Sequence, residues 1–257
     1  MRPMLFVGLF LSPLVLAADE PRCPLPGYAY AWGDEFDGVK LDEERWELHA
    51  GQSGASMRGK DNVVLRGGQL VLLGRKVGGT SYLPYSSGEV SSRRLFRHGY
   101  YEVRYKVPEV PGWETRFFLT SVDQAYPKCR IDIATTDSLW PDRFRMQVER
   151  LSDRQFVDER EQDTPSLSKD FHAWGCEFTP EKIRFFFEGR LVAVTDTKSS
   201  QHGDLRVRLR MNLSWWSFDH LSGGHVATEE VAGHQVQAKV AVPSEACFDY
   251  VRVFVRK

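Results

Sequence analysis

Three stretches of this chain set carboxylates at alternate positions among arginines. Trp113–Thr120 holds Glu114 and Arg116, Arg130–Ala134 holds Arg130 and Asp132, and Arg143–Leu151 holds Arg145, Gln147 and Glu149. A fourth, Leu205–Leu213, interleaves Val207, Leu209, Met211 and Leu213 with Arg206, Arg208, Arg210 and Asn212. Period-two alternation marks a strand with one face in a core. It sends Trp113, Thr115, Phe117, Leu119, Ile131, Ile133, Phe144, Met146 and Val148 inward. The charged residues and Phe118 then share the opposite face. Two carboxylates whose pKa values are pushed apart can serve as acid and base, so Glu114, Asp132 and Glu149 are candidates for hydrolytic chemistry. Arginine grips carboxylates and sulfates in a bidentate fork and stacks on rings. Six arginines against three acids therefore suit an acidic polymer, unless the arginines pair with those acids across strands and simply hold the sheet. Another arrangement puts Arg206 to Arg210 on the other sheet, facing solvent. Trp113, Tyr101, Trp215 and Trp216 are candidate flat platforms for sugar rings; Trp215 and Trp216 are adjacent, so at least one should turn into the core.

The elements that must position these residues are strands. Short alternating runs separated by Gly, Pro, Asp or Ser turns recur along the chain, which is the signature of an all-β sandwich. The clearest are Gln69–Gly74, Tyr100–Val107, Trp113–Thr120, Arg130–Ala134, Arg143–Leu151, Ile183–Phe187, Leu205–Leu213 and Tyr250–Val255. Asp158–Asp170 and Lys198–Asp204 read as polar loops, and helix is scarce. The expected architecture is a two-sheet antiparallel jelly roll with one concave face.

The 257 residues are 42% apolar and 27% charged, enough for one sizeable core in one domain. A formal net charge of −1 gives no bulk electrostatic case for nucleic acid or an anionic membrane. Residues 1–17 read as a secretory signal: Arg2, the apolar run Met4–Leu16, and Val15-Leu16-Ala17 as cleavage site. The run is short, Pro13 interrupts it, and no later stretch could span a membrane. The expectation is an exported, periplasmic or extracellular domain over residues 18–257, monomeric and without a required cofactor. Its four cysteines, Cys23, Cys129, Cys176 and Cys247, permit two disulfides in three connectivities, among which spacing does not choose. No C-x-x-C or histidine cluster suggests zinc. His220, His225 and His234 lie in a Gly-containing loop region at the rim and are candidate ligand contacts, though solvated loop residues are the better reading.

Seven segments in order carry a resemblance. They include Trp32-Gly-Asp-Glu-Phe-Asp37 with Trp46, Gly67-Gly-Gln-Leu70, Gly99-Tyr-Tyr-Glu102 and Gly112–Ser121. Phe171-His172-Ala-Trp174 with Phe187-Glu188-Gly189, Asn212-Leu213 with Trp215-Trp216, and Asp249–Phe254 complete it. Together the chain resembles glycoside hydrolase family 16, whose enzymes cleave β-glucans and related polysaccharides.

In that family one strand carries E-x-D-x-E, or E-x-D-x-x-E with a bulge. The resemblance sets Arg130 at the first glutamate position, Asp132 at the aspartate, and Ala134, or Thr135 with a bulge, at the second glutamate. Retaining hydrolysis needs two carboxyl groups about 5–5.5 Å apart. Arg130 has no lone pair to attack with and Ala134 has no proton to donate. General acid–base catalysis alone contributes about 10²–10⁴-fold, roughly 3–5 kcal/mol. Asp137, beyond the strand, is the only other acid from Tyr126 to Trp140. The implied protein is a glycan-binding, catalytically degenerate member, with an acidic polysaccharide as one candidate ligand. One alternative is a hydrolase or lyase with carboxylates relocated to Glu114, Asp132 and Glu149. The other is a protein-interaction module of an envelope or polysaccharide-secretion complex, which a loop-filled groove with every arginine paired would favour. The family's terminal strands lie side by side, which favours Cys23 with Cys247 and leaves Cys129 with Cys176. Family members often hold a calcium through an aspartate matching Asp249, which could equally cap a turn. Trp32, Trp46 and Trp174 match structural positions, and His172 a structural hydrogen bonder.

Overall fold

The computed structural model describes residues 20–53, 56–77, 85–122, 128–151, 155–196, 205–215, 230–231, 234–235 and 244–257. The first strands are β1 (Tyr28–Asp34), β2 (Trp46–Leu48), β3 (Gly51–Ser53), β4 (Ser56–Arg58), β5 (Val63–Leu65), β6 (Leu70–Lys76) and β7 (Tyr85–Ser87). Then follow β8 (Glu89–Ser92), β9 (Gly99–Lys106), β10 (Trp113–Ser121), β11 (Cys129–Asp137), β12 (Arg143–Arg150) and β13 (Gln155–Asp163). The last are β14 (His172–Phe178), β15 (Lys182–Phe187), β16 (Arg190–Asp196), β17 (Val207–Trp215), β18 (Glu230–Val231), β19 (His234–Gln235) and β20 (Ser244–Arg256). The helical structure among the described residues is one 3₁₀ turn, Lys60–Asn62, and no helix there is long and apolar enough to cross a membrane.

Two sheets face each other, as the alternation predicts. One runs β16-β15-β14-β9-β20-β6-β7-β4-β3, with β1 on β20 and β5 on β6; the other runs β13-β12-β11-β10-β17-β8-β2. Pairing is antiparallel except between β4 and β7. Inward residues of both sheets, among them Trp46, Tyr101, Tyr105, Trp113, Phe117, Phe144 and Trp174, form one continuous core. Trp32, Trp46 and Trp174 are buried there as expected. Local chemistry closes the turns. Glu188 and Gly189, at φ 49° and 71°, both adopt the left-handed conformation that a two-residue hairpin requires, and they join Phe187 to its partner Arg190.

Three readings change. Asp158–Asp163 is strand rather than loop: it belongs to β13, a sheet-edge strand that pairs along β12. An edge strand can be charged on both faces, which hides it from a search for apolar alternation. Asp137 is the last residue of β11, not beyond it. The four cysteines are free thiols. Cys23 packs by Tyr100 and Phe254, whereas Cys247 packs by Val71 and Leu73. Phe254 and Cys247 are seven residues apart in β20, about 23 Å along a strand and far beyond disulfide reach. The terminal strands do lie side by side, but β1 meets only the far end of β20, Val251–Arg256. Cys129 and Cys176 sit on opposite sheets, in β11 and β14. Lys198–Asp204 lies outside the described residues, as do residues 1–17.

Candidate functional site

The expected wall is the outer face of the seven-stranded sheet, and the sheet order decides its width. β17 lies beside β10 in this sheet, so Arg208 and Arg210 join Arg116 and Arg130 on one surface instead of facing solvent elsewhere. Glu114, Arg116 and Phe118 of β10, and Arg145, Gln147 and Glu149 of β12, project as the alternation predicts: their neighbours Thr115, Phe117, Phe144, Met146 and Val148 are buried.

In β11 the alternation breaks. Phe117 pairs with Ala134 while Phe118 pairs with Asp132, and on the other side Asp132 pairs with Gln147 while Thr135 pairs with Arg145. One extra residue is accommodated as a bulge, which resets the facing of everything after it. Ile133 and Ala134 both enter the core. Thr135 and Asp137 take the outer face, and Thr136 turns inward, its hydroxyl donating to the Thr115 carbonyl at 3.1 Å. Of the two alternatives left open for this strand, the geometry selects Thr135; Ala134 is not a surface position.

The arginines are held by carboxylates. Arg130 places Nε 3.1 Å from Asp132 Oδ2 and Nη2 2.7 Å from Glu149 Oε2. Arg116 Nη2 lies 2.5 Å from Glu114 Oε1, and Arg145 Nη2 lies 3.6 Å from Glu114 Oε2. Arg210 pairs with Glu89 and stacks over Phe118, Arg58 pairs with the same Glu89, and Arg208 pairs with Glu47. Arg206 is exposed and precedes β17. The expected excess of arginine over acid is therefore absent, because Glu47, Glu89, Asp137, Glu159 and Glu161 share this face. They were missed because β2 and β8 are only three and four residues long, too short to register as alternation, and because β13 reads as loop.

Burial tunes two of the acids. Asp132 is fully buried, and desolvation lifts its pKa although Arg130 and Arg116 oppose the shift. Asp137 is pushed up to about 6 by burial, against the hydrogen bond that the Leu139 N–H donates to it at 2.8 Å. It stands directly opposite Glu114. Asp132 Oδ1, Thr135 Oγ1 and Asn212 Oδ1 are buried without a hydrogen-bond partner. At one end of the face a cavity of about 270 Å³ opens beside Thr135, Asp137, Trp140 and Arg143.

The aromatic platforms fall elsewhere. Trp215 is buried, stacked on Tyr85 at 4.0 Å between ring centres and edge-on to Trp113. Trp113 and Tyr101 are core residues too. Each sits at an inward position of its strand, so none can meet a ligand on the outer face. Trp216, His220 and His225 lie outside the described residues, as does the side chain of His234. Trp140, in the turn after β11, is the tryptophan that lines the cavity; no periodicity marks a turn residue, so sequence reasoning passed over it. His172 bonds Glu188 Oε1 at 3.0 Å, next to that hairpin and away from this face. Asp249 lies 2.5 Å from Arg104 Nη1, so its carboxylate already has a cationic partner. Among the described residues no three His, Cys, Asp or Glu side chains cluster to hold a metal.

Comparison with known proteins agrees with this fold. A family model described as Glycosyl hydrolases family 16 matches residues 44–231. A β-glucanase of Acetivibrio thermocellus is 31% identical over 162 residues, covering 59% of this chain; the chain spans 46% of that protein's length. A β-glucanase of Rhodothermus marinus is 25% identical over 259 residues, covering 89% of this chain and 86% of its own. Among solved structures, the endo-β-1,3-glucanase of Pyrococcus furiosus superposes with a TM-score of 0.75 at 18% identity, over 90% of this chain and 95% of that one. The laminarinase of Rhodothermus marinus gives 0.74 at 22%, over 91% and 99%. At those identities the likeness of structures is one of fold.

Proposed function

The chain belongs to glycosyl hydrolases family 16, and on that premise we propose that it binds a β-linked glycan on the outer face of the seven-stranded sheet without hydrolysing it. The observation that carries this reading is the guanidinium of Arg130, locked between Asp132 and Glu149 at the position the resemblance assigns to a catalytic glutamate. A cation fixed there offers no nucleophile, and Thr135, at the second position, has a hydroxyl whose pKa is far too high for a general acid. Binding does not need those carboxylates. Pairing of the arginines favours a neutral glycan over an acidic one, because an anionic sugar would have to displace a carboxylate from each. The reading includes export, with residues 1–17 removed, and a monomeric mature chain.

A second reading, an active hydrolase, is favoured by one observation. Asp137, held near pKa 6, faces Glu114 across the strands, which are the pKa and placement of a relocated acid. Against it, Glu114 is buried and already engaged by Arg116 and Arg145. A partner-protein surface would draw on the same paired arginines, but a polar cavity walled by a tryptophan fits sugar better than peptide.

The test is a panel of neutral β-glucans beside uronic and sulfated glycans, scored on one sample for binding and for new reducing ends. Binding without cleavage supports the proposal. Cleavage abolished by Asp137→Asn or Glu114→Gln would establish the second reading, and no binding to any glycan would reject both. N-terminal sequencing of the mature protein tests export.

A further inference from the structure

The other, eleven-stranded sheet carries a notch. β9 ends at Lys106, the register partner of Cys247. β20 begins earlier, at Ser244, and its residues Ser244, Glu245 and Ala246 pair with β6 on their far side. Beyond Lys106 the chain turns away, and the Val107 N–H donates to the Leu167 carbonyl at 3.4 Å. No β9 residue therefore lies beside Ser244–Ala246, and a cavity of about 340 Å³ opens among Lys106, Val107, Glu109, Val110 and Ser244. Ser244 is 3% exposed, yet its hydroxyl oxygen has no hydrogen-bond partner. A buried, unpartnered hydroxyl costs free energy unless something meets it. The acids that β20 brings to this side are engaged elsewhere, Glu245 by Arg66 and Asp249 by Arg104. Among the described residues no carboxylate is ion-paired with Lys106.

We infer that this notch binds a small aliphatic monocarboxylate, its carboxylate on the Lys106 ammonium and the Ser244 hydroxyl and its carbon chain against Val107 and Val110. The site lies on the sheet opposite the proposed glycan face and does not depend on that reading. An ammonium and a hydroxyl are both donors, and charge-assisted bonds to a carboxylate are about twice as strong as neutral ones. The charge around the notch selects a single negative charge: one unpaired cation stands beside Glu109, which is exposed, so a dianion would meet repulsion that a monoanion largely escapes. Val107 is buried and Val110 partly buried against the core, which gives the chain an apolar wall. The space lies at the lower end of the roughly 300–1,000 Å³ of small-molecule sites, so the guest is short. The same chemistry is offered by a free short-chain acid and by the C-terminal residue of a peptide, whose carboxylate is a common handle for recognition.

The experiment titrates the full mature chain by calorimetry with butyrate, with N-acetyl-alanyl-alanine, with the amide of each, and with inorganic phosphate. Wild type is compared with Lys106→Met and Ser244→Ala. At least one acid is expected to bind, with its amide at least ten-fold weaker. Lys106→Met is expected to weaken that acid at least ten-fold and Ser244→Ala several-fold. Because the Ser244 hydroxyl has no partner in the protein, Ser244→Ala should leave the thermal midpoint unchanged or raise it, which separates a lost ligand contact from a damaged fold. If Lys106→Met fails to fold, Ser244→Ala decides alone. Tighter binding of the dipeptide supports the site with a peptide terminus as its guest, and tighter binding of butyrate supports it with a free acid. Amide and acid binding alike, equal binding by wild type and both variants, or no binding of either acid would overturn the site. Phosphate binding more tightly than both acids would overturn the ligand class.

Discussion

Arg130 reaches across the sheet to Glu149, its own register partner, and the Nη2 to Oε2 distance is 2.7 Å. The same guanidinium also holds Asp132, so one cation neutralises two carboxylates of which one is fully buried. Removing one partner from a buried ion pair leaves the other uncompensated, which costs far more than the intact pair contributes. Arg130→Ala should therefore destabilise the fold by about 3 kcal/mol, the low end for buried pairs. Urea unfolding at neutral pH checks this, and adding Glu149→Gln should recover part of the loss.

Asp137 predicts a pH dependence. Burial raises its folded pKa from 3.8 to about 6, so between those values the folded state binds more protons than the unfolded one. Stability from this group is then fully present below about pH 4 and is lost as pH rises through 6. Glu114 opposes its ionisation and Arg145 favours it. Asp137→Asn keeps the acceptor for the Leu139 N–H and should stabilise the protein above pH 6 while changing little at pH 4. Denaturant midpoints at both pH values test it; equal shifts at the two would show that Asp137 titrates normally.

The cysteines give a chemical prediction. Cys129 and Cys176 are buried in the core, and burial pushes both thiols up, so neither forms thiolate at neutral pH. In denaturant without reductant, all four cysteines should titrate as free thiols. In the native protein Cys129 and Cys176 should stay unmodified by iodoacetamide, whereas Cys23, partly exposed, reacts slowly. Mass spectrometry after alkylation reads each site, and a two-dalton deficit per pair would reveal disulfides instead.

Gly74 tests the packing beneath the sheet. A Cβ added there would lie 2.5 Å from the ring of Trp113, which Trp215 and Tyr85 hold edge-on. A rigid aromatic held on two sides cannot give way, so Gly74→Ala should cost roughly 1–3 kcal/mol or more by overpacking. Thermal unfolding measures it; a neutral result would mean that β6 can shift away from the ring.

Much of this protein was legible without coordinates. Unbroken alternation in Trp113–Leu119 and Val207–Leu213 set which residues face the core, because side-chain direction in a strand is a local property of the backbone. The ordered segments from Trp32 to Phe254 pointed to the family. What the sequence could not decide depended on neighbours in space. Whether Ala134 or Thr135 turns toward the outer face depends on one bulge, which both flanking strands register, and no residue within β11 announces it. The charge of the wall turned on Glu47, Glu89, Asp137, Glu159 and Glu161, which come from strands too short or too polar to read. Trp215 turned inward because it continues β17 in register with Trp113. Alternation fixes directions along one strand, but the strands that lie beside it, and so the partners of every arginine, come from long-range pairing that local pattern does not encode.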